Sequence, residues 1–337
     1  MLLTAVTMFG QNVADPYRSL EDAHSARTSA WIDAQNARAE HALDAYSHNA
    51  AIAARVKSLA LTGPQRYGAQ LAGNTLFYFR EVPPAPQPVL VAQGWPNGSA
   101  RTALDPSTLG PAVSIDFIWP APNGRLIAVG TSSGGSERTT IRLVDAQGHH
   151  RYSEALGPAG GGTTAPVVAW DADSRGFTYG RLPADGKQFG IKLYHHVIGT
   201  PQASDTLSLG DISPIAEYVM VTSSDAREAA ALVQFGDGAP YRVYRRTSKG
   251  WHAVIGPDAG IRTGAFVGNK LYLVSTTGSL RGRIVLAHDD GTLQTVVPEE
   301  PDWALQSIAP IRGGLLVTKS WGTRWRVDHH DTSGKLI

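Results

Sequence analysis

A strand-like octapeptide returns six times between residues 74 and 320: NTLFYFRE from 74, GRLIAVGT from 124, RGFTYGRL from 175, AEYVMVTS from 216, NKLYLVST from 269 and GGLLVTKS from 313. The starts lie 50, 51, 41, 53 and 44 residues apart. Several are preceded by a strand that ends in an aromatic or apolar residue and a tight turn, as in DFIWPAPNG, VVAWDADSRG and AFVGN. Most are followed by two more strands, for example TTIRLVD with HHRYSEAL, or GRIVLAHD with TLQTVVP. Four strands per unit at this period is the pattern of a β-propeller blade, and the absence of a helical period within the repeats excludes a helix-pair solenoid. The expected fold is therefore all-β, a propeller of four-stranded blades over 63–337. Five units are complete, and the sixth, from about Trp303, breaks off in GKLI at Ile337 where its fourth strand is due. A propeller closes only when its last blade meets its first. The chain is thus expected to be a portion of a longer protein, incomplete at its carboxyl end.

The residues before the repeats read differently. From Ser19 to Ala60 the chain is rich in Ala and free of Gly and Pro, with bulkier apolar side chains at Trp31, Leu43, Tyr46, Ile52, Val56 and Leu59. That composition predicts helices near 26–47 and 50–60, with Ser25 and Asn49 as N-caps and Thr62-Gly63-Pro64 as the stop. Residues 1–62 are accordingly expected to form an amino-terminal helical arm. With 30 Lys plus Arg against 29 Asp plus Glu, the net charge is +1, which gives no attraction to nucleic acid or to a membrane surface. No window approaches the ~18 apolar residues of a membrane span. The opening MLLTAVTMFGQNVADPY has no Lys or Arg ahead of its apolar run, so no signal peptide is evident, and a cytoplasmic or periplasmic location is expected. The sequence contains no Cys, which removes disulfides, thiolate metal sites and a cysteine nucleophile together.

Several motifs imitate active sites. Gly130-Thr131-Ser132-Ser133-Gly134 matches the G-x-S-x-G nucleophile elbow, but an elbow needs a helix directly after the serine, and SERTTIRLVD is β-rich. The expected structure there is a polar hairpin. Asp171-Ala172-Asp173-Ser174-Arg175-Gly176 opens like a calcium loop, yet Arg occupies the fifth position and Leu182 the twelfth, so it reads as a turn. The pairs His149-His150, His195-His196 and His329-His330 lie in strands where neighbours point to opposite faces, so each pair is expected to give one packed and one solvated imidazole and no metal site. Gly160-Gly161-Gly162 lacks the lysine and following helix of a phosphate loop. Arg281, Arg283, Arg324 and Arg326 alternate along two strands and line either a surface or the central tunnel. No cofactor or metal is expected, and the residues alone describe a scaffold or a lid.

Longer stretches carry a resemblance. VADPYRSLED at 13–22 followed by AWIDAQN at 30–36 resembles the opening of the prolyl oligopeptidase family of serine peptidases. Leu104-Asp105-Pro106-Ser107-Thr108-Leu109 is similar to the family's first-blade ending, LYHHVIGTPQASDTL from 193 to its third-blade signature, and RGRIV at 281–285 with VVPEE at 296–300 to its fifth-blade landmarks. The chain departs from the family pattern at Ser19, usually Trp. It departs again at Ala165, where some relatives carry an aromatic residue that lines the substrate pocket, and Ala165 is thus the candidate substrate-gating position.

The resemblance implies a seven-bladed, unsealed propeller, about six of whose blades are present here. It sits over an α/β-hydrolase domain onto which the amino-terminal helices pack. It also implies oligopeptide substrates cleaved after proline by a Ser-Asp-His triad that lies downstream of the propeller, so no catalytic residue is carried by this chain. The rival expectation is a free-standing, non-catalytic interaction module from a truncated or degenerate gene. An esterase using Ser132 is the third.

Overall fold

The structure, a computed structural model, describes residues 15–61, 63–136, 138–148, 151–160, 166–185, 187 and 189–337. The described residues up to Gly63 and those from Pro64 onward form two separate compact units. The first holds helix α1 (Ala26–Asp44) and helix α2 (Asn49–Ala60). Ser25 caps α1 as its sequence position predicts, its hydroxyl accepting from the Thr28 backbone N–H at 3.1 Å. The start of α2 differs from expectation. His48, not Asn49, is the capping residue and makes no side-chain hydrogen bond, so Asn49 is already helical. Trp31, Leu43, Ile52, Val56 and Leu59 all stay exposed. No helix among the described residues is long and apolar enough to cross a membrane.

The second unit is a six-bladed propeller of antiparallel sheets. Blade one holds β1 (Gln65–Ala72), β2 (Thr75–Glu81), β3 (Val89–Gly94) and β4 (Ala100–Leu104). Blade two holds β5 (Val113–Pro120), β6 (Leu126–Ser133), β7 (Thr140–Asp145) and β8 (Arg151–Leu156). Blade three holds β9 (Val168–Trp170), β10 (Gly176–Arg181), β11 (Lys192–Val197) and β12 (Thr206–Leu209). Blade four holds β13 (Ala216–Thr222), β14 (Ala229–Phe235), β15 (Arg242–Thr247) and β16 (Gly250–Ile255). Blade five holds β17 (Ile261–Val267), β18 (Lys270–Ser275), β19 (Arg283–Ala287) and β20 (Leu293–Val297). Blade six has three strands, β21 (Ala304–Ile311), β22 (Gly314–Trp321) and β23 (Arg324–Asp331), and a lone bridge from His330 to Leu336.

Five of the six octapeptides are second strands of their blades, and the fourth is not. AEYVMVTS is β13, a first strand, while the second strand of blade four is β14, which begins Ala229-Ala230-Ala231. Those alanines are fully buried because the neighbouring blades press on both faces. Small side chains suit that position and weaken the strand signal, and this is why the apparent spacing drops to 41 and then rises to 53.

Packing between blades is the fold's main source of stability. Five apolar clusters lie between successive blades: Phe77 and Leu90 meet Ile127, Leu143 meets Phe177, Leu193 meets Tyr218, Leu232 meets Leu273, and Tyr272 meets Val317. Each fully buried side chain of this size contributes about 1.5 to 3 kcal/mol. None of these five clusters joins blade six to blade one. β1 is exposed along most of its length, and Trp325 and Val327 of β23 are 66% and 59% exposed.

Candidate functional site

The first strand of each blade is the innermost, and the six strand ends converge on one cavity of about 620 Å³. Leu71, Trp119, Trp170, Thr222, Phe266 and Ile311 give one wall position per blade. The turns that follow these strands form the rim. Gly124, at φ +64°, lies so close to the turn of blade one that a Cβ there would stand 2.3 Å from the Ala72 carbonyl oxygen. Only glycine lets these two turns stack. The next turn is tied in by the Asn123 N–H, which donates to Ser174 Oγ at 3.2 Å.

The aromatic wall is held in place by hydrogen bonding and ring contact. Trp170 Nε1 donates to the Trp119 carbonyl at 2.8 Å, joining blades two and three at the channel. Phe117 stacks on Trp119 at 5.7 Å, and Phe177 backs Trp170 at 5.0 Å. Arg312 supplies a cation at the rim. Among the described lining residues there is no carboxylate and no histidine beside a nucleophile. Around a volume of about 620 Å³, the wall thus combines aromatic and aliphatic side chains with the polar groups of Gln70, Thr222, Ser223, Ser224 and Arg312.

The tempting serine stands elsewhere. Ser132 lies on β6 and is 7% exposed, and its hydroxyl meets Ser114 Oγ at 3.2 Å, which in turn donates to Asp116. A turn at Gly134-Gly135 and then β7 follow it, with no helix among the described residues of 130–150. Strand, turn, strand cannot present the hydroxyl as an elbow does. The Asp171–Gly176 segment is the turn between β9 and β10, with Ser174 in the left-handed region at φ 57°. Arg283, Arg324 and Arg326 belong to the third strands β19 and β23, and Arg281 to the loop before β19, and none of the four lines the cavity. His149-His150, Gly161, Gly162 and the candidate gating residue Ala165 lie outside the described residues.

The two described histidine pairs split between faces. His196 is fully buried, its Nδ1 2.7 Å from Asp205 Oδ1, while His195 is half-buried with Nε2 2.7 Å from Asp171 Oδ2. His330 is buried against the Gly334 carbonyl and His329 is exposed. Asp171 also accepts from Arg246 Nη1 at 3.3 Å, so it links the third strands of blades three and four directly behind Trp170. The hydrogen bond to Asp171 raises the His195 pKa, against a burial penalty that lowers it. A pKa raised on folding stabilises the fold below the unfolded value of about 6.5 and is lost as pH rises through the folded value. His195→Gln is therefore expected to cost stability near pH 5.5 and nothing near pH 9, by about 1 kcal/mol or less because solvent screens the pair. Urea midpoints of both proteins across that range check it, and a constant difference would show that the charge plays no part.

Sequence reading missed Trp119, Trp170 and Phe266 as wall residues. Their signal was present in DFIWPAPNG, VVAWDADSRG and AFVGN, where an apolar strand ends in an aromatic just ahead of the turn.

Comparison with known proteins agrees with this architecture. Residues 4–337 match the family model described as "Prolyl oligopeptidase, N-terminal beta-propeller domain". A prolyl endopeptidase of Elizabethkingia miricola is 26% identical over 98% of this chain and 48% of its own length. One from Elizabethkingia meningoseptica is 22% identical over the same shares. Among solved structures, a prolyl endopeptidase superposes with a TM-score of 0.86 at 22% identity, over 96% of this chain and 50% of its own. Prolyl oligopeptidase B from Galerina marginata, bound to a 35mer substrate, gives 0.80 at 17%. The chain thus spans about half the length of the relatives it matches. Its innermost strands, its channel and its sequence together make it a member of the prolyl oligopeptidase family, corresponding to that family's amino-terminal β-propeller domain.

Proposed function

We propose that this chain is the propeller portion of a prolyl oligopeptidase-like serine peptidase. In that role it gates oligopeptide access to an α/β-hydrolase domain that follows it in the polypeptide and cleaves after proline. The observation that carries the proposal is the channel mouth, where one strand end from each blade encloses a space sized for a short peptide. Two further features support it. The flanks of blades one and six lack a mutual core, which leaves room for a seventh blade from downstream sequence. The helices before Gly63 expose Trp31, Ile52 and Leu59, an apolar set fitted to dock on the hydrolase domain. Ala165, at the position where some relatives carry a pocket-lining aromatic, is the candidate substrate-gating residue in this reading.

The test is to express the open reading frame past the codon for Ile337. The longer product is expected to hydrolyse a proline-containing chromogenic peptide and to be labelled by a fluorophosphonate, with labelling unchanged by Ser132→Ala, whereas residues 1–337 alone do neither. Narrowing the rim by Ser224→Trp is expected to lower kcat/KM severalfold for a peptide of ten residues and little for a blocked dipeptide. A stop codon directly after Ile337 would favour the free-standing interaction module instead. Equal effects on both peptides would remove the gating role.

A further inference from the structure

Beside the channel mouth, on the other side of the stacked turns of blades one and two, lies a second cavity of about 540 Å³ that shares Pro122 with it. Its wall is polar, with Asn74, Thr75 and Ser99 adding neutral amide and hydroxyl groups. Two arginines line it, Arg101 of β4 and Arg125 from the turn before β6, and none of its described lining residues carries a carboxylate. Neither arginine forms an ion pair among the described residues.

The two guanidinium groups are held differently. Arg101 crosses from blade one to blade two, where its Nη1 donates to the Gln147 carbonyl. Its Nη2 is buried and finds no hydrogen-bond partner among the described residues. A buried charged donor without a partner costs far more than an exposed one. Arg125 is exposed, and its backbone is fixed from behind, its N–H donating to Asn123 Oδ1 at 2.8 Å. The floor is rigid because Gly73 and Gly124 stack there with no space for a Cβ. Two cations without a countercharge in one concave wall concentrate positive potential. The guanidinium fork matches carboxylate and phosphate oxygens.

We infer that this cavity is an anion site, built by Arg101 and Arg125 to take a carboxylate or phosphate group. The group arrives either on a peptide at the channel mouth or as free phosphate. The site's existence does not depend on the peptidase reading, since it rests on the two arginines and the wall alone.

Titration of the 1–337 chain at low ionic strength tests it, with inorganic phosphate in one arm and the peptides acetyl-Glu-Gly-amide and acetyl-Gln-Gly-amide in the other. Saturable binding of phosphate or of the Glu peptide is expected, with the Gln peptide inert and amide shifts centred on residues 73–75 and 123–125. Tighter binding of the Glu peptide assigns the peptide source, and tighter binding of phosphate assigns the free ion. Arg125→Gln is expected to weaken either at least tenfold without moving the thermal midpoint, while Arg125→Lys keeps part of the affinity. Arg101→Gln is expected to weaken binding as well, and the Arg125 variants keep the test valid if its inter-blade contact proves necessary for folding. No saturable binding in either arm, or binding unchanged in Arg125→Gln, overturns the inference.

Discussion

Asp205→Ala is expected to destabilise the propeller by about 3 to 5 kcal/mol, the range for removing one partner of a buried charged network. The Asp205 carboxylate is fully buried just before β12, bonded to Tyr179 and His196 and with Arg181 Nη1 3.9 Å from its Oδ2. Tyr179 Oη donates to its Oδ2 at 2.7 Å, and His196 Nδ1 lies 2.7 Å from its Oδ1. Burial, and then the carboxylate itself, pushes the Tyr179 hydroxyl well above the ordinary phenol range, so it is a donor to Asp205 at neutral pH. The His196 ring lies tilted against Phe177 at 5.4 Å, and its Nε2 has no hydrogen-bond partner among the described residues. Removing the carboxylate leaves a buried hydroxyl and a buried imidazole N–H unpaired, each costing about 1 to 3 kcal/mol.

Blade three has an apolar core on both sides, shared with blades two and four. The loss in Asp205→Ala should therefore register as one cooperative shift of the whole unfolding curve, with an unchanged denaturant slope. Tyr179→Phe removes a donor together with its need for a partner, and is expected to cost less than half as much. Equal costs for the two variants would show that the carboxylate, once freed of tyrosine, is the unstable element.

How much of this was legible beforehand depended on whether a residue's partners are near it in sequence. The blade repeat was legible because β2, β6, β10, β18 and β22 each carry a short run of bulky apolar or aromatic residues at a regular spacing, and Ser25 because its partner Thr28 is three residues away. The family was legible from short ordered motifs such as LYHHVIGTPQASDTL. β14 was hidden because close packing between blades selects alanine at its start, and such small side chains lack the bulky apolar run that marks the other second strands. The channel wall was hidden for another reason. Trp119 and Phe266 are far apart in sequence and come together only when the blades are arranged about an axis. Nothing local in the sequence marks Asp205 as the partner of Tyr179, 26 residues earlier. Arg101 and Arg125 were two ordinary charges until the turns of their blades stacked.

The same dependence on distant partners sets the second large effect, at Lys319. This lysine lies on β22 with its side chain 3% exposed, bonded to Glu300 and 2.9 Å from Asp328. Arg326 binds the same two carboxylates, at 2.6 Å to Glu300 and 2.9 Å to Asp328, and lies over the Trp303 ring at 4.5 Å. Burial alone would raise both carboxyl pKa values, but hydrogen bonds from Lys319 and Arg326 outweigh it and hold both below the usual range. A carboxyl pKa lowered on folding stabilises the fold above the unfolded value of about 4 and is lost as pH falls through the folded one. Lys319→Met is expected to cost about 3 kcal/mol near pH 7, and progressively less as pH falls below 4 and through the lowered folded values of the two carboxyls.

The location of the loss should differ from that of Asp205→Ala. Blade six shares a core with blade five alone, so loosening the Lys319 network frees that blade before the rest. Hydrogen exchange is expected to speed by about a hundredfold in β21 to β23 while β6, β10 and β14 keep their protection, since each 1.4 kcal/mol of local opening is a factor of ten. Adding Glu300→Gln and Asp328→Asn to Lys319→Met removes the stranded charges and should restore most of the lost protection. Uniform acceleration across all six blades would mean instead that the ring unfolds as one body despite the missing core between blades six and one.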